Sequence, residues 1–246
     1  MDCFNAVIFD LGDTLVYFDG VWEEVLNQAE QQLVNHLVTQ GFTITPAEFL
    51  SKFHHQMQTY YQERDTEFIE YTTRYIFRKT LEEVGLVSVP ESSLRSALDD
   101  YYAVFQSHWQ PEEDAIETLR LLKAKGFRLG LVSNTSDDAN VQYLIDKAQI
   151  RSFFDQIITS AAIGIRKPNP RIFQPLLSDW KFLPGQVVMV GDTLGADILG
   201  ARNAGMAGIW ITRRADTPAN HAHSQTIFPD ATISNLLELP LYLERC

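Results

Sequence analysis

Short apolar runs and helical stretches alternate along the second half of the chain, from residue 111 onward. The apolar runs lie at 128–133, 156–159, 186–191 and 208–212, with a last short one at 231–233. Between them, helical patterns cover 111–125, 136–148, 169–180 and 195–204. Apolar runs of this length are typical of strands buried on both faces, and their alternation with helices implies βαβ crossovers. The sequence therefore predicts an α/β fold built on a parallel sheet.

One further strand lies far from the others along the chain. Residues 5–10 form an apolar run that ends in a carboxylate, and residues 20–107 then read almost entirely as helix. Because this first strand needs a sheet to join, we interpret the helical block as an insertion after it. We predict a Rossmann-like parallel sheet core formed by residues 1–16 and 108–246, with an inserted α-helical domain at 17–107.

The inserted block is predicted to contain about four helices. An apolar residue stands at every fourth position from Val21 to Leu37, which gives a first helix one apolar face. Gly41 is typical of a helix end, and residues 45–48 have the cap and first-turn chemistry of a second helix. Further helices are predicted over about 66–84 and 90–107.

The charge balance limits the classes of partner. The 246 residues include 20 Lys and Arg against 32 Asp and Glu, a formal net charge of −12. An acidic chain is a poor ligand for nucleic acid or for an anionic membrane surface, so neither is expected as a partner. A signal peptide and an apolar run of about 18 residues are both lacking, which predicts a cytoplasmic protein. A small anionic substrate stays possible, because a local site can be cationic. The oligomeric state is not predicted.

Polar residues follow the predicted strands at the edge of the sheet where α/β proteins bind ligands. Ligands of open parallel sheets bind beyond the carboxyl ends of the strands. Six residues stand after a strand or before a helix at this edge: Asp10, Ser133, Asn134, Lys167, Asp192 and Asp197. We expect them to converge on one site.

The chemistry of these residues suits phosphoryl transfer. Asp10, Asp192 and Asp197 would repel one another unless a cation lies between them, and oxygen ligands favour a hard ion such as Mg²⁺. Lys167 and the Ser133 hydroxyl can hold phosphate oxygens. An aspartate is also a competent nucleophile that forms an aspartyl-phosphate. The sequence thus contains the groups needed for phosphoryl transfer, except a clear proton donor.

Four segments resemble the four motifs of the haloacid dehalogenase (HAD) superfamily, in family order. They are 9–15 (FDLGDTL), 132–134 (VSN), 167–168 (KP) and 190–197 (VGDTLGAD). The helical block resembles the C1 cap of that superfamily, which lies between the first and second motifs. The resemblance implies a Mg²⁺-dependent hydrolase, most simply a phosphatase.

The resemblance also implies roles for individual residues. Asp10 would be the nucleophile and a metal ligand. Asp192, Asp197 and the backbone carbonyl of Gly12 would complete the Mg²⁺ site. The substrate would be bound by Ser133, Asn134 and Lys167, of which Ser133 and Lys167 would hold the transferring phosphoryl group.

The first motif departs from the pattern that this resemblance implies for phosphatases. Those enzymes carry a second Asp two residues after the nucleophile, which protonates the leaving group and then activates water. Gly12 occupies that position, and Asp13 follows it. Three explanations stay open. Asp13 substitutes for the missing acid; or the enzyme is slow or selective for good leaving groups; or the chain has another role.

Such a role could be another HAD reaction or catalytically weakened binding and regulation. Dehalogenase members lack the second Asp, but they need no metal. Phosphonate-cleaving members use a cap lysine, for which Lys52 and Lys79 are the candidates between residues 17 and 107.

Overall fold

The computed structural model of the protein describes residues 4–244. Its strands are β1 (Ala6–Phe9), β2 (Val16–Phe18), β3 (Trp109–Pro111), β4 (Arg128–Ser133), β5 (Gln156–Thr159), β6 (Val187–Gly191), β7 (Ala207–Ile211) and β8 (Ala231–Ile233). Its helices are α1 (Trp22–Thr39), α2 (Pro46–Glu67), α3 (Thr73–Glu83), α4 (Glu91–His108), α5 (Ala115–Ala124), α6 (Asp138–Lys147), α7 (Ser160–Ile163), α8 (Gln174–Trp180), α9 (Leu199–Asn203), α10 (Pro218–His223) and α11 (Glu238–Leu243). Within residues 4–244, none of these helices combines the length and apolar character needed to cross a membrane.

Six strands form one parallel sheet in the order β5-β4-β1-β6-β7-β8. Strand β1 lies at its centre, where Phe9 pairs in register with Leu131 of β4 and Val190 of β6. The residue after β1 therefore emerges between the ends of two neighbouring strands. This sheet, with its helical connections, confirms the predicted α/β fold with a Rossmann-like core.

The apolar run of β1 fills both faces of the sheet. Val7 and Phe9 belong to one apolar cluster, whereas Ala6 and Ile8 belong to a second cluster on the other face. All four side chains are fully buried. Burial on both faces is the physical reason why this run is apolar throughout and not alternating.

Helices α1–α4 form a four-helix unit with an apolar cluster of its own. The chain enters and leaves the unit through a two-stranded antiparallel ribbon, in which Val16 of β2 pairs with Pro111 of β3 and Phe18 pairs with Trp109. The division of the chain into domains at residues 17 and 107 stays a prediction. Residues 1–3 and 245–246, which that division includes, lie outside the described residues.

The predicted helix over 66–84 is wrong in its first turns. Helix α2 ends before Phe68, which takes a left-handed conformation (φ 53°). Ile69 then pairs with Ile165 of the core as an isolated antiparallel bridge, and α3 begins only at Thr73. The local sequence favours helix here, but pairing with the core holds this segment extended.

A buried ion pair joins the four-helix unit to the core beside this bridge. The Glu70 carboxylate accepts hydrogen bonds from Arg166 (Nη1, 3.1 Å), Ser160 (Oγ, 2.8 Å) and the Tyr60 hydroxyl. Its side chain is only 1% exposed, and that of Arg166 is 15% exposed. Every oxygen of the buried carboxylate therefore has a partner, as burial of a charge requires.

Replacing Glu70 by alanine is expected to lower the free energy of unfolding by about 3–5 kcal/mol, because Arg166 would stay largely buried without a counter-charge. Urea denaturation of wild type and variant measures the difference. Glu91→Ala is the matched control, since Glu91 pairs with Arg74 and Arg78 at the surface, where such pairs contribute about 1 kcal/mol or less. Equal losses in the two variants would contradict a stabilising role for the buried pair.

Candidate active site

The strand ends bring the predicted site residues to one cavity of about 300 Å³. All seven predicted site residues line this cavity: Asp10, Gly12, Ser133, Asn134, Lys167, Asp192 and Asp197. Asp10 follows β1 and its backbone N–H donates to the Val190 carbonyl of β6 (2.9 Å), so it is fixed at the centre of the sheet. The convergence predicted from the strand ends is therefore present in the structure.

Lys167 connects the carboxylates at the bottom of the cavity. Its ammonium group lies 2.5 Å from Asp10 Oδ1 and 2.7 Å from Asp197 Oδ1, and it donates to the Val132 carbonyl at 2.7 Å. The lysine side chain is 1% exposed. Such a lysine is a fixed positive charge and not a solvated surface group.

The side-chain amide of Asn134 holds the backbone of Lys167. Its Nδ2 donates to the Lys167 carbonyl (3.0 Å), and its Oδ1 accepts from the Lys167 N–H (2.8 Å). Both ends of the amide are thus used to position the lysine. Contact of Asn134 with a substrate stays a prediction.

Negative charge at the site exceeds what one lysine can balance. Burial raises the pKa of Asp10 to about 6, although Lys167 opposes this shift. Burial, together with the charges of Asp197 and Asp10, raises the pKa of Asp192 to about 8. For Lys167, burial alone would lower the pKa, but the two adjacent carboxylates raise it. A further cation would relieve the repulsion among the carboxylates.

The donor set fits a hard divalent cation. Asp10, Asp192 and Asp197 are buried, and each offers a carboxylate oxygen within 4.8 Å of the other two. Asp197 is held in place by the Thr193 N–H, which donates to its Oδ2 (2.9 Å). A Cβ on Gly191 would come within 2.3 Å of Asp197, so glycine is required for this close approach. Carboxylate oxygens are the ligands that Mg²⁺ prefers.

The turn formed by Gly12 and Asp13 has no acidic side chain at position 12. A Cβ on Gly12 would lie 3.3 Å from Cη2 of the Trp109 indole, which occupies the space next to this position. Asp13 has a left-handed backbone (φ 52°), a conformation that aspartate tolerates. Burial raises the pKa of Asp13, while Arg214 and the Phe18 N–H oppose the shift.

Sequence reasoning missed a group of residues from the ribbon and α6 that also line the cavity. We call these residues the outer wall: Val16, Trp109, Asn140, Val141 and Leu144. Trp109 and Val16 come from the ribbon, and the other three come from α6. Among the described residues, none between 19 and 108 lines this cavity. No motif marks the wall, because its members in the sequence are common apolar side chains and one asparagine within a helix.

Comparison with known proteins assigns the chain to a family. The family model of haloacid dehalogenase-like hydrolases matches residues 4–205. The chain belongs to this family. The HAD-like hydrolase is 30% identical to glyceraldehyde 3-phosphate phosphatase of Methanothermobacter thermautotrophicus over 232 residues, which cover 93% of this chain and 94% of that protein. It is 31% identical to phosphoserine phosphatase of Thermus thermophilus over 138 residues, or 56% of this chain and 53% of the relative.

Solved structures of the family have the same fold. A HAD phosphatase from Thermococcus onnurineus superposes with a TM-score of 0.62 at 26% identity, with 98% of each chain covered. The 2-haloacid dehalogenase of Pseudomonas syringae pv. Tomato superposes with a TM-score of 0.68 at 25% identity, over 98% of this chain and 99% of that one. These findings confirm the predicted family and the prediction that the chain is a hydrolase, and its relatives include phosphatases.

Proposed function

We propose that this hydrolase is a Mg²⁺-dependent, cytoplasmic phosphatase that acts on a small phosphorylated metabolite through an aspartyl-phosphate at Asp10. The observation that carries the proposal is the placement of Asp10 at the centre of the sheet, beside Lys167 and two further buried carboxylates. The relatives named glyceraldehyde 3-phosphate phosphatase and phosphoserine phosphatase support a small phosphorylated substrate.

The proposed reaction has two displacements at phosphorus. A carboxylate oxygen of Asp10 bonds to phosphorus as the bond to the leaving oxygen breaks, and that oxygen departs with the electron pair. Water then displaces Asp10 from phosphorus and releases phosphate. Lys167 and Ser133 hold the non-bridging oxygens, and Asn134 keeps Lys167 in position. Bound Mg²⁺, held by Asp10, Asp192, Asp197 and the Gly12 carbonyl, would screen the negative charges of nucleophile and phosphate.

Of the three explanations for Gly12, we propose selectivity for good leaving groups. A positioned acid contributes about 10²–10⁴ in rate, and glycine supplies none. Its loss is most costly for alkyl phosphates, whose alkoxides leave poorly without a proton. Asp13 lines the same cavity, but it faces Arg214 and the Phe18 N–H. These interactions engage the Asp13 carboxylate within the core, although burial raises its pKa above the ordinary value.

The four-helix unit is proposed to act as a cap that positions the entrance of the site. Support comes from the contacts it makes beside the cavity. Glu70 binds Arg166, the residue before Lys167, and the Thr73 N–H donates to the Ser136 carbonyl (2.8 Å) near the end of β4.

Purified protein is expected to hydrolyse p-nitrophenyl phosphate only when Mg²⁺ is present. Chelation by EDTA should abolish turnover, because the carboxylates of Asp10 and Asp192 would then repel the phosphate, and added Mg²⁺ should restore it. The measurement is steady-state release of p-nitrophenolate across a Mg²⁺ titration. Mg²⁺ binding without turnover of this ester, glyceraldehyde 3-phosphate or phosphoserine would instead indicate a binding or regulatory protein.

Hydrolysis of a carbon–halogen bond is the second candidate function. The similarity to a 2-haloacid dehalogenase and the lack of an acid at Gly12 favour it. The three buried carboxylates argue against it, because they form a set of metal ligands, whereas the family resemblance implies that dehalogenases need no metal. Halide release from 2-chloropropionate without Mg²⁺ would support this candidate.

Phosphonate cleavage has less support from the structure. The Lys52 ammonium donates to the Glu83 carbonyl (2.8 Å), and Lys79 lines a different pocket between α2 and α3.

A further inference from the structure

The indole of Trp109 stands beside the nucleophile turn, where the side chain of residue 12 would project. Its Cη2 lies 3.3 Å from the Cβ position of Gly12. Trp109 is well anchored: its carbonyl accepts from Lys147 Nζ (2.7 Å), and its ring packs edge-on against Phe18 with centroids 5.5 Å apart. A rigid aromatic surface therefore replaces a side chain at this point of the cavity.

The rest of the outer wall is apolar apart from one amide. Val16, Val141 and Leu144 are almost fully buried, and each lines the cavity. The Asn140 Oδ1 accepts from Gln106 (3.1 Å), while its Nδ2 has no protein partner among the described residues. A leaving group rich in hydroxyls would leave unpaired those that face this wall, which is unfavourable. An aromatic ring would pack against this wall without leaving any hydroxyl unpaired.

The absence of an acid at position 12 also favours an aromatic leaving group, for an independent chemical reason. A phenol ionises with a pKa of about 10, whereas an alkyl alcohol is a far weaker acid, comparable to water. A phenolate can therefore depart without a proton from the protein. The cavity, at about 300 Å³, lies at the lower end of the range for small-molecule sites and suits a single ring.

We propose that Trp109 and the outer wall form a leaving-group subsite for an aromatic ring, so that the substrate class is an aryl phosphate monoester. This inference rests on the proposed phosphatase function and deepens it. In the first step, Asp10 bonds to phosphorus, the bond between phosphorus and the aryl oxygen breaks, and the oxygen leaves with the electron pair as a phenolate that takes its proton from solvent.

Four phosphorylated compounds separate ring recognition from leaving-group strength. Phenyl phosphate has a ring and a good leaving group, and benzyl phosphate has a ring and a poor one. Acetyl phosphate has a good leaving group without a ring, and glycerol 3-phosphate has neither. The kcat/KM of wild type for phenyl phosphate is expected to exceed that for benzyl phosphate at least about 100-fold, because this constant reports the first displacement. The KM of phenyl phosphate should be at least about tenfold below that of acetyl phosphate.

Trp109→Leu is expected to raise the KM of phenyl and benzyl phosphate about tenfold and to leave the kinetics of acetyl phosphate within about twofold of wild type. Trp109→Phe should retain most of the ring preference. Activity on acetyl phosphate reports that each variant is folded. Trp22→Leu is the matched control, because Trp22 is half-exposed on α1 and lies outside the cavity, and it should change none of these constants.

Three results would overturn the subsite. They are equal kcat/KM values for phenyl and benzyl phosphate, a lower KM for glycerol 3-phosphate than for phenyl phosphate, and an equal loss for phenyl and acetyl phosphate in Trp109→Leu. In each case Mg²⁺-dependent hydrolysis persists, so the phosphatase function stands. No turnover of any of the four compounds or of p-nitrophenyl phosphate with Mg²⁺ would refute the proposed function itself.

Discussion

Asp10→Asn is expected to lower kcat/KM for p-nitrophenyl phosphate by at least about a thousandfold, because an amide oxygen cannot form the phosphoryl bond. Asparagine has nearly the same shape and carries no charge. The variant therefore removes a buried negative charge, and with it the repulsion that adds to burial in raising the pKa of Asp192, and it should fold at least as well as wild type. Steady-state kinetics at saturating Mg²⁺, with thermal unfolding to verify the fold, measure both effects.

The control for this variant is Asp179→Asn, which changes an exposed carboxylate on α8. It should leave kcat/KM within about twofold, since exposed ion pairs contribute little. Residual activity of Asp10→Asn above about a tenth of wild type would remove Asp10 as the nucleophile.

Lys167→Met is expected to reduce kcat/KM roughly 100- to 1,000-fold, the usual loss when a fixed charge that stabilises a transition state is removed. The ammonium group lies within 2.7 Å of Asp10 and Asp197, so its loss also leaves two buried carboxylates unbalanced. Lys167→Arg should not restore activity, because the planar guanidinium cannot replace a compact ammonium group in a fully packed position. The measurement is kcat/KM for p-nitrophenyl phosphate at saturating Mg²⁺.

A surface lysine separates this effect from a general loss of charge. Lys123 pairs with Asp155 at the surface (3.3 Å), and Lys123→Met should leave kcat/KM essentially unchanged. Activity of Lys167→Met within fivefold of wild type would contradict the assignment of Lys167 to the phosphoryl site.

The sheet could be predicted because its central strands are buried. The runs at β1 and β6 are apolar throughout, and β4 is apolar from Leu129 to Val132, since helices cover both faces of the sheet. The positions of Asp10 and Asp192 follow from the same pattern, because parallel strands place their carboxyl ends at one edge. The geometry of this edge could therefore be predicted from separate parts of the chain.

Features that depend on pairing between distant segments could not be predicted. Strands β2 and β3 contain three residues each, too few for a recognisable period, and they exist because they pair with each other. Likewise, Ile69 is extended only because it meets Ile165. Helical propensity is a weak preference that such tertiary contacts override.

The same limit applies to the site, where motifs could be predicted but contacts between distant segments could not. The sequence shows that Gly12 lacks an acid, but it does not show that Trp109 occupies the adjacent space. It places Asn134 beside the phosphate, but it does not show that both ends of its amide bind the Lys167 backbone. Motifs indicate which groups meet, whereas the contacts that position them come from elements far away in the chain.

The most direct test is to trap the phosphoryl group on the protein. Because Gly12 supplies no base for water, release of phosphate from Asp10 should be slower than its formation from p-nitrophenyl phosphate. Acid quenching during turnover, followed by mass analysis of the intact chain and its peptides, should find close to one phosphoryl group per chain at Asp10. The adduct should require Mg²⁺ and accompany a burst of p-nitrophenolate. Turnover with a phosphoryl group on another residue, or with none on Asp10, would contradict the account.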